Sequence, residues 1–183
     1  MNIRIALACA LLPAVAVPCA AAGARAYANM VDLDGQLIGR AKLTGVPHGV
    51  LIEIELRGLK PGVHAIAVHA VGACDGAAGF ASAGPILSFD AGRAHGYLAK
   101  GGPRTGDLPN QYAAPDGTLH AATFSTAFTI GNGVKSIFDK DGAAIIVRAN
   151  GDDYLSQPEG RAGPRVACGV IRRANEPAHA PHR

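Results

Sequence analysis

The regular alternation of apolar side chains in short stretches is the feature that most restricts the fold of this chain. From residue 50 to 57, apolar residues occupy every second position, as in an antiparallel strand with one buried face. These apolar residues are Val50, Ile52, Ile54 and Leu56. The predicted strands are residues 26–32, 39–43, 49–56, 62–70, 118–130 and 143–148. Because turn dipeptides separate several of them and no long stretch has a helical period, the sequence predicts an all-β sandwich or Greek-key barrel.

Two long stretches, residues 75–108 and 149–164, do not have a strand pattern. Both are rich in glycine and polar residues. Loops of this length inside a compact domain are usually functional or mobile, and we expect the same of these two.

The N-terminus has the features of a secretory signal. Arg4 precedes a nearly uninterrupted apolar run at residues 5–17, which is too short to span a membrane comfortably, and small residues follow at 20–22. We therefore expect residues 1–22 to be a signal peptide, cleaved there or as late as residue 26. The mature protein is expected to be exported, to the periplasm or to the cell exterior. Lipid attachment at Cys19 is the alternative, although Val-Pro before this cysteine is a poor lipobox, and an uncleaved anchor ranks below both.

The rest of the chain has the size of one domain, expected at residues 23–172, with a disordered tail at 173–183. A net charge of +3 without a basic cluster interleaved with aromatic residues argues against nucleic-acid binding. Cys74 and Cys168 remain after the signal is removed, and in an oxidising compartment a disulfide between them is the expected state. Two free buried thiols are the alternative. On the chain-entropy model this bridge contributes about 4–5 kcal/mol.

Two histidines lie in the stretch from residue 61 to 74. His64 and His69 are five apart, so on a regular strand they face opposite sides. A strand that chelates one metal with two histidines needs them at positions i and i+2, and the position two before His69 is Ala67. This pattern indicates either a lost metal site or no site at all.

The C-terminal stretch at residues 160–171, with the sequence GRAGPRVACGVI, closely resembles the closing signature of copper/zinc superoxide dismutases, especially the exported bacterial ones. Six further segments resemble that family in the right order, at residues 58–64, 82–85, 106–110, 116–118, 136–142 and 152–154. The resemblance covers nearly the whole mature chain. It implies an eight-stranded Greek-key β-barrel with two long loops and one disulfide, for which Cys74 and Cys168 lie at the family's positions.

The resemblance also assigns metal-site positions, and most of the ligands are replaced. For copper, His69 keeps one of four ligand positions, while the other three fall on Ala67, Ile86 (which would bridge both metals) and Arg148. For zinc, His95 and Asp107 keep two positions and the remaining histidine falls on Arg104. Asp152 matches the aspartate that steadies ligands of both metals, Arg165 matches the arginine that guides the superoxide anion, and His64 matches a structural histidine.

One imidazole cannot hold a redox-cycling copper. We therefore expect a family member without dismutase activity and without a tightly bound cofactor. Its expected role is structural or is the binding of an unidentified protein or small-molecule partner. An active superoxide dismutase and a weak zinc- or copper-binding protein are the alternatives. Either a monomer or a homodimer is compatible with the sequence. We further expect one or both of the guanidinium groups of Arg104 and Arg148 to fill the metal space and pair with Asp107 and Asp152. The alternative is that both arginines are simply surface residues.

Overall fold

The computed structural model describes residues 23–174 and contains almost only strands and loops. The strands are β1 (Arg25–Val31), β2 (Leu37–Val46), β3 (Gly49–Leu56), β4 (Gly62–His64), β5 (Ile66–His69), β6 (Gln111–Ala113), β7 (Leu119–Ser125), β8 (Ala144–Arg148), β9 (Arg165–Val170) and β10 (Arg172–Arg173). A single 3₁₀ turn, Ala81–Ala83, lies in the first long loop. None of the helical segments in residues 23–174 is long and apolar enough to cross a membrane. The predicted signal peptide at 1–22 and most of the predicted tail lie outside the described residues.

Eight strands form one curled antiparallel sheet in the order β5-β8-β9-β1-β2-β3-β7, with β10 paired to β1, while β4 and β6 form a separate pair. Strands β1, β2 and β3 follow one another directly, and β9 returns to lie beside β1. This arrangement is a Greek key. The predicted all-β Greek-key barrel is confirmed.

Strand β3 shows why the alternation predicts the core correctly. Val50, Ile52 and Ile54 are completely buried, and the side chains between them are partly or fully exposed. β3 lies in the middle of the sheet, between β2 and β7, so one of its faces packs on the core and the other meets solvent.

The predicted strand at residues 62–70 is interrupted. At Ala65 the backbone changes partner: its N–H donates to the carbonyl of Asn150 and its carbonyl accepts from the N–H of Arg148. β4 before this residue pairs with β6, and β5 after it pairs with β8. The chain therefore crosses from one sheet to the other at Ala65.

The disulfide between Cys74 and Cys168 is confirmed, with a Cα–Cα distance of 5.7 Å. It ties the beginning of the first long loop to β9. Near the end of the described residues, Arg173 of β10 pairs with Ala26, and its guanidinium stacks on the ring of Phe138 at 4.1 Å.

Candidate functional site

The residues singled out by the sequence lie where β5, β8 and β9 meet the two long loops. The first loop runs close along β5: Ile86 forms a bridge with His69, and Asp107 forms a bridge with Ala67. The second loop leaves β8 after Arg148 and returns into β9 at Arg165. The predicted site residues are thus collected into one region of the molecule.

His69 is buried and neutral. Its Nδ1 donates to the carbonyl of Gly84 at 2.8 Å, whereas its Nε2 has no hydrogen-bond partner in residues 23–174. Burial is the main cause that lowers the pKa of His69 to about 4, and the nearby cation of Arg165 lowers it further. The Nε2 lone pair is therefore unprotonated at neutral pH.

A charge cluster of two arginines and one glutamate lies beside His69. Arg148 is almost fully buried, forms an ion pair with Glu159 and donates to the carbonyl of Gly163 at 2.8 Å. Glu159 also contacts Arg165 at 3.3 Å. Arg165 in turn donates to the carbonyls of Phe80 at 2.7 Å and Gly84 at 2.8 Å. The two guanidinium groups thus share one carboxylate, and the cluster keeps a net positive charge.

His95 lies between two carboxylates. Its Nδ1 is 2.7 Å from Asp107 Oδ1 and its Nε2 is 3.1 Å from Asp152 Oδ1. Burial by itself lowers the pKa of His95, but the hydrogen bond and charge of Asp107 and the charge of Asp152 outweigh burial and raise it. An imidazolium that donates through both nitrogens matches this geometry.

The carboxylate of Asp107 has its own set of donors. Asp107 Oδ2 accepts the backbone N–H groups of Gly96 at 2.8 Å and Arg104 at 2.9 Å. Burial by itself raises the pKa of Asp107, but the hydrogen bonds from His95 and Gly96 outweigh it, and the net effect lowers this pKa. A Cβ at Gly160 would collide with the Asp152 carboxylate, and its φ of +64° also favours glycine there.

Several residues that the sequence did not single out hold this group in place. Gln157 accepts the backbone N–H of His95 at 3.0 Å and donates to its carbonyl at 2.8 Å. Tyr97 donates to the carbonyl of Asp107 at 2.9 Å. The side chain of Asn110 exchanges two hydrogen bonds of 2.9 Å with the backbone of Asp152. Gln157 thus connects the two long loops, Tyr97 bonds within the first loop, and Asn110 joins the segment after it to the second. No local sequence pattern indicates these contacts.

The predicted pairing of Arg104 and Arg148 with the two aspartates is wrong. Arg148 does lie inside the site, but its partner is Glu159, and His95 balances the charges of Asp107 and Asp152 instead. The guanidinium of Arg104 points away, with Nε 3.2 Å from the carbonyl of Arg93 and Nη1 3.3 Å from that of Pro158.

Apolar packing fills the space between these groups. Ile86 is buried, and Ala67, Ile86 and Ile146 line a remaining cavity of about 10 Å³ together with His95, Arg148 and Glu159. Such a volume is about what a single water molecule needs. His64 lies beyond β5, with ring nitrogens 2.6 Å and 2.7 Å from the carbonyls of Arg148 and Lys60, as suits a structural histidine.

These residues do not fit a copper or a zinc ion. Of the copper-ligand positions given by the resemblance, one has an imidazole, two have apolar side chains and one has a cation. Zinc takes four ligands in a structural site, and the two residual zinc positions, His95 and Asp107, hydrogen-bond to each other. Within residues 23–174 no three His, Cys, Asp or Glu side chains are grouped so that they could hold a metal.

Comparison with known proteins agrees with the fold and the resemblance. Residues 37–171 match the sequence model of a family described as copper/zinc superoxide dismutase. A superoxide dismutase [Cu-Zn] of Caulobacter vibrioides is 44% identical over 76% of this chain and 80% of its own length. Superoxide dismutase [Cu-Zn] 2 of Aquifex aeolicus is 35% identical over 81% and 86%. The crystal structure of a SOD-like protein from Bacillus subtilis matches with a TM-score of 0.71 and 28% identity, over 79% of this chain and 96% of that chain.

Proposed function

This chain belongs to the copper/zinc superoxide dismutase family, and we propose that it is a member without dismutase activity that has a binding or structural role in the bacterial envelope. The relatives reported above are bacterial. The disulfide supports export, because such bonds persist in oxidising compartments. The predicted signal peptide at residues 1–22 supports it as well.

The observation that carries the proposal is the buried ion pair between Arg148 and Glu159. Arg148 falls on a copper-ligand position of the family. A fixed cation there repels a copper ion and offers it no lone pair. Glu159 also contacts Arg165, the residue at the anion-guiding position. A carboxylate that neutralises this arginine weakens its attraction for superoxide.

Metal loading followed by a dismutase assay tests the proposal. The mature, disulfide-intact protein is incubated with copper and zinc, desalted and analysed by elemental mass spectrometry, with the Caulobacter vibrioides superoxide dismutase as positive control. We expect far less than one copper per chain and no superoxide-dependent activity above that of buffer. A full copper equivalent together with dismutase activity would contradict the proposal.

A second function, weak copper binding, is favoured by one observation. His69 Nε2 has no hydrogen-bond partner in the described part of the chain, and burial keeps it unprotonated at neutral pH. One imidazole gives weak binding only. Replacement of His69 by Gln should abolish any residual copper binding, whereas the exposed His48→Gln variant should keep it. Equal binding by both variants would place the copper elsewhere.

A further inference from the structure

A positively charged cleft lies beside Arg104 and shares no lining residue with the small cavity beside His95. Its lining includes Phe89, Arg93 and Arg104 from the first long loop and Thr126 and Lys135 from the segment after β7. The cleft has a volume of about 400 Å³, which is near the lower end of the range for small-molecule sites. It is separate from the site described above and has no role in the proposed function.

The charges in this cleft are not balanced by the protein. Arg93 has an acidic neighbour, Asp90, at 3.9 Å. No carboxylate in residues 23–174 lies within ion-pair distance of Arg104 or Lys135. With three cations and one carboxylate along its walls, the cleft carries a net charge of +2.

Arg104 is held in a fixed position with donors to spare. Its backbone N–H donates to Asp107 at 2.9 Å, and its Nε and Nη1 donate to carbonyls of Arg93 and Pro158. A guanidinium has five N–H donors, and Nη2 makes no hydrogen bond within the described residues. A planar donor group that is already positioned binds an oxyanion with less loss of side-chain entropy.

The cleft also has an apolar wall. Phe89 is 44% exposed, although large aromatic side chains are usually more buried. Its backbone N–H donates to Thr105 Oγ1 at 3.1 Å, which fixes the position of this residue in the loop. A ring at this place can pack against a flat apolar group of a ligand.

We propose that this cleft binds a small organic oxyanion, a phosphomonoester or a carboxylate, whose charged group lies between Arg104 and Lys135 and whose apolar part packs on Phe89. The net charge selects an anion, the fork of Arg104 suits a planar or tetrahedral oxyanion, and the exposed aromatic ring selects a ligand with an apolar body over a bare ion. Because the cleft is open to solvent, binding should weaken as ionic strength rises.

Phenyl phosphate is the probe that we would use, with inorganic phosphate and phenol as its two halves. Isothermal titration calorimetry at constant low ionic strength should give one site per chain and tighter binding of phenyl phosphate than of either half. Arg104→Gln should weaken binding about tenfold, and Lys135→Gln about threefold. Lys60→Gln, an equal change of charge on an exposed lysine outside the cleft, should leave it unchanged.

Chemical-shift mapping by NMR provides a second measurement if Arg104→Gln disturbs the fold. In the wild-type protein, phenyl phosphate should shift the amide resonances of Thr105, Thr126 and Lys135. Lys135 is exposed, so its variant should fold normally and still show the weaker binding. The proposal is overturned by a lack of saturable binding in the millimolar range, by shifts confined to another face, or by wild-type affinity in both cleft variants. None of these results depends on whether the protein has dismutase activity.

Discussion

Replacement of His95 by Ala is the substitution that we expect to reveal how the two long loops are held together. The imidazole is 2% exposed and contacts Asp107 at 2.7 Å and Asp152 at 3.1 Å. Removal of one partner from a buried ion pair typically costs about 3–5 kcal/mol, because a charge is left without compensation. Asp107 keeps two backbone donors and Asp152 keeps one, so we expect the lower end, about 3 kcal/mol. For a domain of this size this corresponds to a decrease in Tm of about 10 °C.

The pH dependence of stability separates this contact from ordinary packing. The pKa of His95 is raised in the folded protein, because hydrogen bonds and the charges of Asp107 and Asp152 outweigh the opposing effect of burial. The stabilisation that His95 gives the folded state is therefore fully present below about pH 6.5, the pKa of a histidine in the unfolded chain. It is lost as pH rises through the pKa that His95 has in the folded protein. His69 acts in the other direction: its pKa is lowered to about 4, mainly by burial, so stability falls as pH decreases from about 6.5 towards 4. Well above about pH 6.5 His69 no longer changes the stability, and a loss of stability with rising pH is the effect expected of His95.

Urea unfolding followed by far-UV circular dichroism at several pH values measures both effects, and the chain has no tryptophan to monitor. We expect the free energy of unfolding of the wild type to fall as pH rises above about 6.5, and that of His95→Ala to be lower and nearly constant there. His48→Ala, at an exposed turn between β2 and β3, is the matched control and should behave like the wild type. A cost below about 1 kcal/mol, or the same alkaline slope in His95→Ala as in the wild type, would refute the reasoning.

Three further substitutions test other parts of the structure. Glu159→Gln should lower the free energy of unfolding by about 1–2 kcal/mol, because it leaves two guanidinium groups without a carboxylate. The control Glu53→Gln, which removes an exposed ion pair with Lys42, should lower it by less than about 0.5 kcal/mol. Equal effects of the two variants in urea unfolding would contradict the importance of the buried cluster. In Cys74→Ser the free energy of unfolding should fall by about 4–5 kcal/mol, as expected for a disulfide that closes a loop of this length. Treatment of the wild type with a chelator should leave its Tm unchanged. A Tm that falls with chelator would show that a metal supports the fold. Burial, followed by the charge of Asp107, raises the pKa of Tyr97 to about 12. A rapid absorbance titration should therefore show one phenol that ionises near pH 12 in the wild type and is absent from Tyr97→Phe. If the titration curve of Tyr97→Phe is unchanged, the raised pKa belongs to another tyrosine.

Much of the fold could be predicted because the apolar alternation reports burial directly. β3 has the predicted start and end, residues 49 and 56, and its inward side chains are all buried. The interruption at Ala65 could not be predicted in this way. The backbone there bonds to Arg148 and Asn150, more than eighty residues along the chain, and an apolar stretch looks the same on either side of such a change of partner.

The site could be predicted only in part for a related reason. The resemblance identified the residues that lie together, and it was right that a guanidinium, that of Arg148, enters the region of the metal ligands. Its partner was predicted wrongly, because two aspartates were already assigned to that region and Glu159 lies in a loop without periodicity. Gln157 and Tyr97 carried no signal at all, since each acts through backbone atoms of the other loop or of its own loop.

The contacts of Arg148 explain why a single histidine could not restore a copper site in this chain. Replacement of Arg148 by His would leave Glu159 with one guanidinium, Arg165, at 3.3 Å, and the carboxylate would remain in the space beside the new imidazole. Replacement of Glu159 alone would leave two arginines close together without a counter-charge. Ile86 would still block the position expected to bridge both metals, and His95 would still be bound to two carboxylates through both nitrogens. Arg148 is thus stabilised by Glu159, and the other copper positions hold no ligand, so copper binding could return only through several simultaneous substitutions.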